Sequence, residues 1–315
     1  MPINTLAYAQ IFQKELDKEA TAAALTGWME GNSGQVKYNG GNEVKIPKMS
    51  LSGLGDYDRD NGYAQGSVTL AYETRSMTQD RGRGFQLDAM DVDETNFVAT
   101  AGAVMGEFQR MHVVPEIDAY RLSKLATEAI TKNTAATTGL VETGYTPAAA
   151  TALAKLKGAI AKIRDYGFSG QLVCHMTSEF KVQLELALAA QLRDITWNRN
   201  GIDTQVPALD GVPLIETPQN RMYTAITLYD GVTAGGSGAA DQRPGGYVKG
   251  SSAKDINFIV MAQSTPIAVS KQDIMRIFDP QTYQKANAWY MDYRRYHDLW
   301  VKDNQILSIA VNTKS

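Results

Sequence analysis

The sequence predicts an α+β protein whose parts run in a fixed order, and three observations predict it. A forty-residue stretch, Asp91 to Ile130, carries apolar residues at helical spacing. Before it, residues 31–90 switch to glycine-rich turns around alternating strands. After it, strand, helix and strand recur through residues 145–254, and from 255 the chain returns to β-structure.

Taken in order, residues 1–30 read as a helical arm. Leu6, Ile11, Phe12, Leu16, Leu25, Trp28 and Met29 form a broken apolar stripe with charges between. Such a stripe either closes the domain from outside or lies across a second subunit. Residues 31–90 read as a two-stranded ribbon. A strand begins at Glu43–Ile46, a polar tip with glycines at 53, 55, 62 and 66 follows, and Val68, Leu70 and Tyr72 share one face of the return strand. A lone hairpin of this kind is marginal in water and needs a surface to lie on. A loop of about twenty residues inside a compact domain signals a function, and contact between subunits is the simplest one.

Residues 91–144 carry the spine. Phe97, Ala101, Val104, Phe108 and Met111 make one stripe, Leu122, Leu125, Ala126 and Ala129 another, and Asp91, Asp93 and Glu94 suit a helix start. Pro115 removes an amide donor between the two halves, which predicts a kink or a hand-over from one helix to the next. At roughly 1.5 Å per residue a continuous rod would be on the order of 60 Å long.

In residues 145–254, Thr146–Pro147 reads as an N-cap with proline at the first helical position. Leu153, Leu156, Ile160 and Ile163 form the inner face of that helix, which ends at Gly167. Residues 171–176 are a short buried strand, a helix with Phe180, Leu184 and Leu188 inward follows, and residues 211–215 are the next strand. Residues 234–246 form a flexible loop by composition. In residues 255–315, INFIVMA, PIAVSKQDIMRIF and NAWYMDYRRYHDLWVKDN read as strands, closed by ILSIAV.

Composition excludes several classes. The charge of −3 gives no general attraction for nucleic acid, so contact with DNA would be by enclosure. No run of eighteen apolar residues spans a membrane, and the N-terminus lacks a signal-peptide pattern. The single Cys174 allows no intrachain disulfide and fits a reducing cytoplasm. His112, His175 and His297 are scattered, with no metal-ligand spacing. Cys174 and His175 are adjacent, so a strand points them to opposite faces; His297 and Asp298 share that geometry. Asp56, Asp58 and Asp60 mimic a calcium loop, but Asn61 and Ser67 stand where glycine and glutamate are needed. The run Asp80–Gly84 fits no phosphate-binding pattern; its arginines are expected to pair with carboxylates, Asp88, Asp91 or Asp93, or with a second subunit's. Catalytic, cofactor and metal sites are therefore all expected to be absent.

The order of parts, with three groups of residues, resembles the major capsid protein of tailed bacteriophages, the Hong Kong 97-like fold. Asp80-Arg81-Gly82 with Phe85, Asp88, Asp91 and Glu94-Thr95 resembles the passage from hairpin to spine. The run Val113 to Arg121 resembles the spine, and Asp292 to Asp298 with Asp303-Asn304 a late sheet strand. The resemblance implies an N-terminal arm (1–30), an extended hairpin loop, or E-loop (31–90), a peripheral-domain spine (91–144), an axial α/β domain (145–254) and a peripheral sheet (255–315). It implies a shell subunit that joins copies of itself as hexamers and pentamers around double-stranded DNA, without sequence-specific binding, a cofactor or a membrane. The short arm implies a separate scaffolding protein, a shorter substitute or earlier cleavage, Met1 speaking against the last; a portal is a further implied partner. The expected place is the virion, after assembly in the host bacterial cytoplasm. The expected intersubunit contacts are Tyr57, Arg59, Arg75, Arg81, Arg83, Asp88, Arg294 and Arg295. Two other readings stay open: an encapsulin-type compartment that packages protein, and a monomeric α/β enzyme or binding protein.

Overall fold

In the computed structural model, residues 24–38, 43–60, 62–88, 90, 101–135, 138–188, 192–199, 202–236 and 238–314 are described. Most of the expected helical arm and the stretch carrying Asp91, Asp93, Glu94 and Phe97 lie outside these residues.

The chain enters through a 3-10 helix, Gly27–Gln35, which buries Trp28 and Met29. Strand β1 (Lys37–Tyr38) pairs with β2 (Glu43–Leu51); the small strands β3 (Tyr57–Asp58) and β4 (Gly62–Tyr63) form the tip, and β5 (Val68–Ser76) returns along β2. The ribbon is thus longer on its outgoing side than the four residues expected from sequence. Strand β6 (Gln79–Asp88) leaves it for another sheet.

The spine is helix α1 (Ala101–Phe108), a π-helical turn (Gln109–Val113) and helix α2 (Val114–Ala135). It neither breaks nor hands over at Pro115. The Val114 amide bonds the Gln109 carbonyl, one residue further back than in an α-helix. This wider turn sits where a proline ring would crowd the preceding turn and where its amide is missing, so the helix continues past it. The thirty-five residues from Ala101 to Ala135 span about 52 Å at helical rise.

Strand β7 (Val141–Glu142) follows, then α3 (Ala149–Asp165), β8 (Leu172–Met176), α4 (Ser178–Leu188), the hairpin β9 (Arg193–Arg199) and β10 (Ile202–Leu209), and β11 (Val212–Glu216). Helix α3 starts two residues later than its Thr146–Pro147 signal. Ala148 occupies the cap position with extended backbone and no side-chain cap bond, and the Tyr145 hydroxyl accepts its amide at 3.4 Å. The end is where sequence puts it: Gly167 takes a φ of +91° that other residues resist, and its amide bonds the Arg164 carbonyl. A short hairpin, β12 (Ile226–Leu228) with β13 (Tyr247–Lys249), brackets the glycine-rich loop. The chain ends with β14 (Ile256–Ala262), β15 (Pro266–Phe278), β16 (Ala288–Val301) and β17 (Ile309–Thr313).

These strands sort differently from the boundary expected at residue 254. Strands β14 and β17 belong to a seven-stranded sheet ordered β7-β17-β14-β8-β11-β10-β9, while β15 and β16 join β6 in a three-stranded sheet. The hydrophobic runs explain the split. Every residue of β8, β14 and β17 is buried, as in a sheet covered on both faces, whereas β15 is mostly exposed or half-buried after its first four residues. On one face of the large sheet, Val173, Ile215, Ile259, Met261, Ile309 and Val311 pack on Trp28, Met29 and the spine residues Leu122, Leu125, Ala126 and Ala129. On the other, Cys174, Met176, Leu214, Phe258 and Val260 pack under α3 and α4 through Leu156, Ile163, Phe180 and Leu184. The upstream half of the spine covers the three-stranded sheet, with Met105 among Met275, Met291 and Tyr293. One helix therefore lies across both sheets. Met111, expected on the inner stripe, is exposed, because the extra residue of the π-turn rotates it off that face.

Candidate assembly surfaces

Directly opposed residues of an antiparallel pair share a face. In the ribbon, Leu51 opposes Val68, Met49 opposes Leu70 and Pro47 opposes Tyr72. Their side chains therefore form one apolar face, and it is bare: Met49 is 61%, Leu51 66%, Val68 70% and Leu70 53% exposed. The opposite face, with Lys48, Ser50, Thr69 and Glu73, is polar beyond its root. At the root, Val44 and Ile46 are buried against Met77, Ile267, Val269 and Trp300. The tip adds exposed Leu54 and the tilted pair Tyr57–Tyr63, 4.9 Å between ring centres. The bare face amounts to roughly 500 Å² of apolar surface, at the upper end for a soluble monomer.

A second surface is a cavity of about 680 Å³ beside the π-turn. Phe85, Phe108, Met111 and Val113 give it apolar walls, Arg81, Arg295 and His297 line its polar side, and the loop around Gly231 and Gly245 closes it.

Between the surfaces runs a polar network that fastens the spine to its neighbours. The buried Asp118 carboxylate accepts the amides of Leu25 and Thr26, the Thr26 hydroxyl at 2.6 Å and Arg221 at 2.9 Å. The fully buried Arg121 donates to the Thr26 carbonyl and to Glu30 at 2.5 Å. Arg295 reaches the same Glu30 at 2.6 Å and Asp273 at 2.7 Å. Burial opposes ionisation of Glu30, but the guanidiniums of Arg121 and Arg295 outweigh it and hold its carboxyl below the usual range. Asp298 accepts the amide and hydroxyl of Thr78, the Tyr120 hydroxyl at 2.7 Å and the Lys124 ammonium. Burial first, and the Asp298 charge second, push the Tyr120 phenol up. The residues of the spine and late-strand motifs thus face one another: Tyr120 with Asp298, and Arg121 with Arg295 across Glu30. Their signal in the sequence is position. Asp118 stands four residues before Leu122 and seven before Leu125, a carboxylate on a buried stripe that must find partners.

The expected contact residues divide. Arg81 closes a two-pronged pair with Glu116 of its own chain, at 2.7 and 3.1 Å, and caps the Tyr229 carbonyl. Arg295 is held inside the network. Both guanidiniums are engaged within the subunit, so any contact with a second copy is made in addition to these bonds; Asp91 and Asp93, expected as partners of the Asp80–Gly84 arginines, lie outside the described residues. Arg294 forks onto Asp80 at 2.6 and 2.9 Å across the sheet, and Arg75 meets Glu73 at 2.5 Å. Asp88 accepts the Met90 amide. Arg83 bonds the Arg243 carbonyl near the cavity rim, and Arg59 and Tyr57 are exposed at the tip. The glycines of the Asp80–Gly84 run serve packing: a Cβ on Gly84 would fall 2.5 Å from the Tyr290 hydroxyl.

The titratable groups that could suggest catalysis are occupied or inert. Cys174 faces the α3–α4 side of the sheet, where burial pushes its thiol up. His175 faces the spine side, between the Trp28 indole at 3.4 Å and the Thr217 hydroxyl at 3.2 Å. Burial, then the charges of Arg295, Arg121, Lys124 and Arg81, hold His297 well below its ordinary value, so it is neutral. Among the described residues no group of three or more histidines, cysteines or carboxylates could hold a metal, and no helix is long and apolar enough to cross a membrane.

No protein-family model and no curated protein matches the sequence. Solved structures do match. A structure from Mycobacterium phage Che8 aligns at a TM-score of 0.56 and 14% identity, over 86% of this chain and 84% of that one. The mature capsid of bacteriophage PhiM1 aligns at 0.54 and 12%, over 87% and 82%. The capsid of cyanophage P-SCSP1u aligns at 0.52 and 11%, over 87% and 84%. The class that these likenesses define is a fold: the chain has the Hong Kong 97-like fold of phage capsid structures, along nearly its whole described length.

Proposed function

We propose that this chain is the major capsid protein of a tailed phage or prophage, joining copies of itself through pentamers and hexamers into an icosahedral shell around double-stranded DNA. The observation that carries this reading is the one-sided ribbon, whose apolar face is exposed among the described residues, on a fold shared with capsid structures. A specific interface buries about 800 Å² on each partner, and the ribbon face with its tip supplies most of that from one element. Closed repetition then multiplies weak contacts.

In this reading the ribbon of residues 31–90 reaches over a second copy, the spine of 91–144 braces the periphery, and 145–254 form the axial domain, with β14 and β17 completing its sheet. Tyr57, Arg59, Arg75, Arg81, Arg83, Asp88, Arg294 and Arg295 are the contact candidates, with Arg81 and Arg295 also bonded inside the subunit. The acidic balance leaves DNA enclosed and not gripped. A separate scaffold and a portal complete the assembly, which takes place in the host bacterial cytoplasm.

The test is electron microscopy of particles made by the purified chain, with nuclease protection of DNA in particles from producing cells. Closed shells protecting double-stranded DNA are the expected result. A stable monomer at assembly concentrations overturns the reading, and shells filled with an enzyme overturn its genome-packaging part.

A further inference from the structure

An ion pair joins the ribbon to the body where it leaves its packed root. Its root is packed as far as Ile46, and residue 47 is a proline, without an amide, opposite Tyr72. One residue on, Lys48 reaches Asp303 at 3.0 Å. The same carboxylate takes Lys132, in the last turn of α2, at 2.5 Å, and Lys132 stands 3.5 Å from Glu128. Asp303 opens the 3-10 helix Asp303–Ser308 that links β16 to β17. One carboxylate therefore touches ribbon, spine and the connection between the two sheets. Beyond Lys48 the hydrogen bonds between Ser52 and Ser67 tie the ribbon only to itself.

We propose that Asp303 is a positioning residue, an exchangeable pin shared by Lys48 and Lys132 that sets the angle at which the ribbon leaves the subunit. A pin exposed to solvent holds weakly, and that suits the task. A chain that fills non-identical positions in a shell must let its ribbon take more than one angle without refolding its root. Pro47, with no amide to donate, marks where the ribbon leaves its packed root, and the lysine–carboxylate pair supplies the preferred setting. Its purpose rests on the capsid reading, but its geometry does not. Salt is the lever, because exposed ion pairs are screened. Acid is not: hydrogen bonds from Lys132 and Lys48 lower the Asp303 carboxyl to about 2, so it stays charged at any pH the fold meets in a cell.

The experiment places spin labels at Thr69→Cys on the ribbon and Thr131→Cys on the spine and reads their distance distribution in dissociated subunits and in particles. The native Cys174 is buried and takes no label. At low salt the parent should give one dominant distance. In Asp303→Asn and Lys48→Ala the population outside that distance should rise about 1.5-fold to fivefold, the range an exposed ion pair commands. One molar salt should do the same to the parent and nothing further to Asp303→Asn. An Asp303→Asn distribution as narrow as the parent's overturns the proposal. A parent that shows the salt response but never forms particles would sink the capsid reading while leaving the pin in place.

Discussion

The spine and the ribbon are both long elements with an apolar stripe, and they meet opposite fates. Leu122, Leu125, Ala126 and Ala129 of the spine are wholly buried by their own chain; Met49, Leu51, Val68 and Leu70 of the ribbon are bare. The two stripes carry the same kind of residue, and burying either would release a comparable free energy per unit area. The difference is the source of the cover. The spine finds it in two sheets made by the same polypeptide, whereas among the described residues the ribbon face beyond its root stays exposed. A stripe in a sequence says that a surface will be covered, and not by which molecule.

Each of the following variants can break that contrast. The largest effect is expected from Met49→Asp with Leu70→Asp: particles should be lost altogether, while chemical denaturation of the subunit shifts by no more than about 0.5 kcal/mol, as for other surface changes. A large loss of subunit stability would mean that the ribbon face is covered at home. Deleting Asp56–Gly66 should give the same pattern, a folded subunit without shells. On the spine the order reverses. Asp118→Ala strands the half-buried Arg221 and two amides and should cost about 3–5 kcal/mol in denaturant titrations; a loss below 1 kcal/mol would show the network to be incidental.

Smaller effects sharpen the contrast. Arg81→Ala should cost the subunit about 1–2 kcal/mol, since its pair with Glu116 is mostly sheltered. Arg83→Ala should spare the subunit and weaken shells at high salt. If the two behave alike, their division into internal and external arginines is wrong. Glu30 supplies a pH signature. Its folded carboxyl lies below the ordinary 4.5, so the unfolded chain binds more protons through that range. Its contribution is fully present above 4.5 and drains away as pH falls through the folded value. Glu30→Gln should therefore flatten the acid limb of a stability–pH curve, and an unchanged limb would remove Glu30 from the account.

Much of this architecture was legible in the sequence because burial there follows a period. The burial of β8 and the inner stripes of α2 and α3 appear as expected. What escaped depends on partners far along the chain. Nothing in INFIVMA or ILSIAV says that these strands join β8 and not β15. Pro115 announces a disturbance, but not that one extra residue in the preceding turn absorbs it. The partners of Arg81 and Arg295 escaped because Glu116 and Glu30 lie 35 and 265 residues away. Conversely, the exposed ribbon face was legible down to Val68, Leu70 and Tyr72, since alternation needs only neighbours.

The strand order has a mechanical consequence. The hairpin β15–β16 is spliced between β14 and β17, adjacent antiparallel strands of the large sheet. Tension arriving through that hairpin tugs both strands in one direction. It is met by the ladder between β14 and β8, where five registered pairs from Phe258–Met176 to Ala262–Leu172 share the load lengthwise and must give way together.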